Sequence, residues 1–166
     1  MTQPRKIGQF ENMAVLLGFL FLCAIVAALG GVTATGPDSW YASLEKPVFQ
    51  PPNSIFGPVW TVLYALMALS AWVVWKAAPK GRRAGLIGLF LLQLALNAAW
   101  TPLFFGAHMI LASLFDIVLL LIVLGATIAA FWRLAPIAGL LLVPYFAWIL
   151  FATALTVAIW RLNPGV

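Results

Sequence analysis

Three sets of polar and aromatic residues interrupt an otherwise apolar chain. Gln93, Asn97 and Thr101 recur every four residues, and Trp100 lies three beyond Asn97. Trp60 and Tyr64 are four apart, and Tyr145, Trp148 and Ala152 are spaced by three and then four. Residues three or four apart share one face of an α-helix, so each set forms a stripe. An amide in hydrocarbon must find a partner, and taken alone Gln93 or Asn97 reads as glue between helices. Indole rings do more. They are large and rigid and they stack, so stripes of this kind turned toward one another suit a flat aromatic guest.

Other reactive groups are sparse. Asp116 is the one acid expected inside a span, which makes it a functional candidate by default. It has a plain alternative as a helix N-terminal residue favoured by the helix dipole and bonded to a neighbouring helix. His108 has no Cys, Asp or Glu beside it, so no metal site of usual composition can be built around it. Cys23 is the single cysteine and lies in an apolar run, where it reads as a small hydrophobe. Neither a nucleophile–base set nor a glycine-rich phosphate loop is visible, so an ATP-driven pump or a membrane hydrolase has no support. No metal and no required cofactor is expected.

The elements that must hold these stripes follow from composition. The chain has 166 residues, 64% of them hydrophobic and 8% charged. Soluble domains carry roughly 25% charge, and the apolar runs here approach the roughly 20 residues needed to cross a bilayer core. The expectation is an all-α integral membrane protein, a single domain over 1–166 with five spans near 13–33, 58–76, 84–104, 109–132 and 136–160. The first run is too long for a secretory signal. Its Ala24, Ala27, Ala28 and Gly31 are small residues that would let another helix approach. Pro58 suits the first turn of the second span, and Pro144 inside the fifth should bend it. Trp75, Trp132 and Trp160 near span ends read as interfacial anchors. No internal repeat is visible.

Charge gives the orientation. Arg5, Lys6, Lys76, Lys80, Arg82, Arg83 and Arg133 fall on one side of a five-span chain, and only Lys46 and Arg161 on the other. Basic loops face the cytoplasm, so in a bacterial cell membrane the N-terminus would lie inside. The net charge of +5 is scattered rather than clustered, which excludes a nucleic-acid footprint. Between the first two spans lies a proline-rich loop, from about 35 to 55, that carries Trp40, Tyr41 and the pair Glu45 and Lys46. A loop this aromatic and this stiff is built to cover something.

The order of motifs is specific. Trp40-Tyr41-x-x-Leu44-x-Lys46-Pro47, Pro51-Pro52 and Phe56-Gly57-Pro58-Val59-Trp60-Thr61-x-Leu63-Tyr64 are followed by Gln93-Leu94-x-Leu96-Asn97-x-x-Trp100-Thr101-Pro102. Ala112 with Asp116, Val143-Pro144-Tyr145-x-x-Trp148 and Ile159-Trp160-x-Leu162-Asn163 complete the series. From the first span to the C-terminus the chain resembles the TspO/MBR family of tryptophan-rich sensory proteins and translocator proteins, which includes the peripheral-type benzodiazepine receptor. The resemblance implies a five-helix bundle, often a homodimer, that binds porphyrins and other tetrapyrroles beneath the long loop. It implies ligand contacts at Tyr41, Trp60, Tyr64, Asn97, Trp100, Trp148 and Ala152. Some bacterial members degrade protoporphyrin IX in light, which would give Trp60 and Trp148 a catalytic part. A third possibility is a structural or regulatory membrane protein with no small-molecule ligand. The chain departs from the family in places. Val48, Phe49 and Ser54 stand where many members have further tryptophans, and Thr156 stands where Asn is frequent. The C-terminal sterol motif is incomplete, with Val157 between Leu155 and Arg161 in place of Tyr, so sterol binding is not expected.

Overall fold

The computed structural model describes residues 8–33 and 40–165. The polar lead with Arg5 and Lys6, and the start of the expected loop at 35–39, lie outside the described residues. Among the described residues are six α-helices: α1 (Gln9–Thr33), the short α2 (Trp40–Ser43), α3 (Asn53–Ala77), α4 (Lys80–Thr101), α5 (Ile110–Leu134) and α6 (Pro136–Leu162). A π-helical turn, Pro102–Gly106, extends α4. No strand occurs among the described residues. All but α2 are long and apolar enough to cross a membrane.

Prolines set the helix boundaries. Pro52 and Pro79 flank the starts of α3 and α4, and Pro136 opens α6. The residue before a proline is pushed out of the helical region. Ala78 (ψ 129°) and Ala135 (ψ 101°) are accordingly extended, and each ends the preceding helix. These short extended links turn the chain back on itself, so α3 and α4, and likewise α5 and α6, run in opposite directions.

The second span begins at Asn53, not at Pro58 as expected, and Pro58 lies inside α3. Proline removes one backbone donor, and here the carbonyl left without it belongs to Ser54, at the exposed end of the helix. The Thr61 hydroxyl adds a bond to the Gly57 carbonyl at 2.9 Å. The helix therefore continues through the proline.

The five long helices close into a ring in the order α1, α3, α6, α5, α4. Its half nearer the basic turn is solid. Met67, Ala71, Val74, Phe90, Leu124, Phe131, Ala138 and Leu142 have no exposed surface there. Phe19 of α1 meets Phe90 edge-on at 5.6 Å and Trp75 at 6.4 Å. Trp72 donates its Nε1–H to the Asn12 carbonyl at 3.0 Å. The basic turn folds down on these indoles: Lys76 Nζ lies 3.1 Å from the Trp72 ring centre, and the Arg83 guanidinium 4.8 Å from that of Trp75. Trp75 is thus partly buried in the bundle, whereas Trp132 and Trp160 are exposed near span ends.

Within one chain the small residues of α1 do not form a packing seam. Ala24, Ala28 and Gly31 are exposed, and the helix packs instead through Phe19, Cys23 and Val26. A true close approach occurs between α5 and α6. A Cβ on Gly139 would lie 2.9 Å from Trp132 Cβ and 3.1 Å from its Cα.

The loop is fastened at three points. Trp40 stacks on His108 at 4.3 Å, and Trp40 and Tyr41 meet Phe104 edge-on at 5.8 and 6.0 Å. Phe49 meets Phe151 of α6 at 6.4 Å. Asn163, just beyond α6, makes the third. Its Oδ1 accepts the Glu45 N–H at 2.9 Å, and its Nδ2 donates to the carbonyls of Glu45 at 3.0 Å and Ile159 at 2.8 Å.

Two outcomes follow from this packing. Gly139→Ala should lower the thermal midpoint in detergent, because overpacking of this kind costs about 1–3 kcal/mol. An unchanged midpoint would show that α5 and α6 separate freely. Asn163→Ala removes two loop bonds worth roughly 0.5–1.5 kcal/mol each. It should raise the rate of proteolytic cleavage within 44–52 while leaving the helical circular dichroism intact.

Candidate functional site

The half of the ring beneath the loop is hollow. A cavity of about 590 Å³ is bounded by α2, α3, the end of α4 with its π-turn, α5, α6 and the last turns of α1. Each of the residues expected to contact a ligand lines it: Tyr41, Trp60, Tyr64, Asn97, Trp100, Trp148 and Ala152. Thr101, on the same stripe as Asn97, also lines it. No charged side chain is among the described residues that line it. The cavity thus accepts an apolar body, and a charged substituent would have to remain at its mouth.

The walls are rings that brace one another. Trp60 stacks on Tyr64 with centres 5.3 Å apart. Tyr64 in turn donates its hydroxyl to Asn97 Oδ1 at 2.6 Å, which fixes both residues at the deep end. Trp100 lies parallel to Phe104 at 5.0 Å and edge-on to Phe105 at 5.9 Å. Trp148 meets Phe56 at 5.7 Å and tilts against Phe151 at 5.6 Å. Offset and edge-on pairs of this kind are the favoured aromatic geometries. The Trp100 Nε1–H is buried and has no hydrogen-bond partner among the described residues.

Other expected groups sit beside the cavity and do not line it. Tyr145 is fully buried behind Trp60, with ring centres 6.1 Å apart. Gln93 is fully buried one helical turn deeper than Asn97. Asp116 precedes the lining residue Ile117. Thr156 does line the cavity, but its hydroxyl is bonded to the Ala152 carbonyl at 2.8 Å. The Lys46 ammonium folds back onto the carbonyls of Ala42 (3.0 Å) and Leu44 (3.2 Å), and sits 5.1 Å from the Tyr41 ring centre. Burial under the loop pushes the Tyr41 hydroxyl above its ordinary pKa, so it stays a neutral donor.

Some wall residues were not legible from helical spacing. Phe104 and Phe105 both face the cavity because the π-turn widens the helix after Pro102. Its wide closure is marked by Ala107 N–H to the Pro102 carbonyl at 2.8 Å and Met109 N–H to the Leu103 carbonyl at 3.0 Å. His108 follows with φ of 57°. Proline next to paired phenylalanines was the available signal. Ala27, Gly30 and Gly31 of α1 also line the cavity. Their small size leaves room where a helix contact had been expected.

Comparison with known proteins places this architecture. Residues 19–161 match the TspO/MBR family. The chain is 39% identical to protein CrtK of Rhodobacter capsulatus over 93% of its length and 96% of that protein's. It is 40% identical to the tryptophan-rich protein TspO of Chlorobaculum tepidum, over 94% of this chain and 98% of the relative. It is 41% identical to the translocator protein of Homo sapiens, over 76% of each. A ring of five apolar helices with this series of motifs, matched along nearly its whole length, identifies a multi-pass integral membrane protein that belongs to the TspO/MBR family.

Proposed function

We propose that the protein binds a planar, largely apolar ligand in the cavity beneath the loop, and that the ligand is a tetrapyrrole such as protoporphyrin IX. The observation that carries this reading is the meeting of Trp60, Trp100 and Trp148, from three different helices, on one cavity with no charged side chain among its described lining residues. Its size falls within the roughly 300–1,000 Å³ usual for small-molecule sites. Flat macrocycles stack on indole. Their propionates would stay at the loop end, near Lys46 and within the polar mouth. The charge bias of the spans supports a cytoplasmic N-terminus in a bacterial cell membrane, which turns the mouth outward. Family resemblance adds a homodimer to this reading.

A second reading rests on Trp60. It is stacked on a tyrosine whose hydroxyl is bonded to Asn97, so an oxidisable pair stands at the cavity wall. That arrangement suits an enzyme-like, light- and oxygen-dependent breakdown of protoporphyrin IX with Trp60 and Trp148 as the reacting partners.

One titration tests both. Pure protein mixed with protoporphyrin IX should show saturable quenching of Trp fluorescence in the dark. Trp148→Ala should weaken binding about 2- to 13-fold, the equivalent of an aromatic contact worth roughly 0.5–1.5 kcal/mol. Under light, protein-dependent bleaching that is lost in Trp60→Phe or Trp148→Phe supports the second reading, and quenching without bleaching supports binding alone. Absence of saturable quenching would overturn both and leave a structural or regulatory protein. In the ligand-free protein, Tyr64→Phe should lower the thermal midpoint. It leaves the Asn97 Oδ1 buried without its donor, at a cost of roughly 1–3 kcal/mol.

A further inference from the structure

A second hollow lies against the first, at the surface of the bundle. It is a groove of about 390 Å³ between α1 and α3, lined among others by Ala24, Ala27, Thr61, Tyr64 and Ala65. Ala27, Thr61 and Tyr64 also line the main cavity. These three side chains therefore form the partition between the two hollows, and two of them are small. Ala24 lines the groove and not the cavity, and it is exposed on α1. Thr61 is exposed on α3. The groove thus has the bilayer on one side and the cavity on the other.

The gap continues toward the loop. Gly31 of α1 and Gly57 of α3 are exposed and line the cavity, and a Cβ on either would meet no neighbouring helix within 4 Å. Thr61 does not reach across to α1, because its hydroxyl is bonded to the Gly57 carbonyl of its own helix. Tyr64 is held by Asn97 and forms a fixed inner edge. The bond from Trp72 to the Asn12 carbonyl and the contact of Phe19 with Trp75 fasten α1 to α3 at the other end. Trp72 lies about 16 Å from Thr61 along the helix.

We infer that the gap between α1 and α3 is a side port, through which the cavity exchanges its ligand with the hydrocarbon of the bilayer. The inference rests on the ligand-binding reading above and adds the route and the ligand class, a guest that partitions into the membrane. Apolar molecules leave water for such surroundings. From water the guest would have to pass a loop held by three anchors. From the bilayer it meets the small side chains of Ala27 and Thr61. No charged side chain is among the described residues that line the groove, so an apolar ring passes no ionic barrier. A flat macrocycle enters edge-on between the helices, and its propionates travel along the loop end of the gap, at the membrane surface. The small residues of α1 keep this port open.

The test is stopped-flow quenching of Trp fluorescence by protoporphyrin IX in the dark, with the full chain in lipid nanodiscs. Ala24→Phe and Ala65→Phe fill the groove at positions that do not line the cavity. In each, association and dissociation should both slow several-fold while the dissociation constant stays the same, because a port alters the path and not the bound state. Ala28→Phe adds the same bulk to an exposed position of α1 outside both hollows, and should leave the rates unchanged. Asn163→Ala, which loosens the loop, should also leave them unchanged. The two groove substitutions lie on different helices, so misfolding of one leaves the other to decide. Faster association in Asn163→Ala with unchanged rates in the groove variants makes the loop mouth the route and overturns the inference. A groove variant that weakens binding through faster dissociation alone also overturns it, since the groove would then be a ligand contact. Saturable binding with unaltered rates in every variant strikes the port and spares the ligand reading. Absence of saturable quenching in the unaltered protein strikes both.

Discussion

A hollow inside a helix bundle persists only if its walls cannot relax inward. Packed interiors tend to close over empty space, and the energetic penalty of a cavity depends on how far the surroundings can collapse. Here the walls resist because each ring is held by another. Trp60 is held by Tyr64, and Tyr64 by Asn97. Trp100 is held by Phe104 and Phe105, and Trp148 by Phe56 and Phe151. The solid half of the bundle supplies the foundation, with Met67, Phe90 and Leu124 filling the ring completely. Pre-organisation of this kind spares a ligand the entropy of ordering its own site.

The loop completes the same scheme. Its anchors are chemically different: a stack on His108, an edge contact to α6, and an amide clasp by Asn163. Stacks tolerate small rotations, whereas the amide fixes backbone position through paired bonds. The histidine that receives Trp40 occupies a left-handed backbone position. Histidine is among the non-glycine residues that adopt this conformation more readily, and glycine there would remove the stacking surface.

Much of the site was legible because a helix repeats at 3.6 residues, so spacing reveals faces. Trp60 with Tyr64, and Asn97 with Trp100, emerged from spacing alone and line one cavity. Spacing does not reveal depth. Tyr145 shares a stripe with Trp148, yet it lies behind Trp60 in the solid core. Nor does spacing survive a change of helix type, which is why Phe104 and Phe105 converge unannounced after Pro102. Pro58 misled for a related reason. Proline was read as the opening of a helix, but it is tolerated a turn or so later if the freed carbonyl lies near the helix end. The small residues of α1 carried no signal that distinguishes a seam from an opening, because both require the absence of bulk.

The clasp between Glu45 and Asn163 joins positions 118 apart in the chain. Both α1 and α6 wall the hollow, and the fastening that closes it sits just beyond α6. During biosynthesis, therefore, all five spans must be made before the chamber can be sealed. Occupancy is a property of the finished molecule, and a nascent chain that has inserted four spans has no compartment to fill.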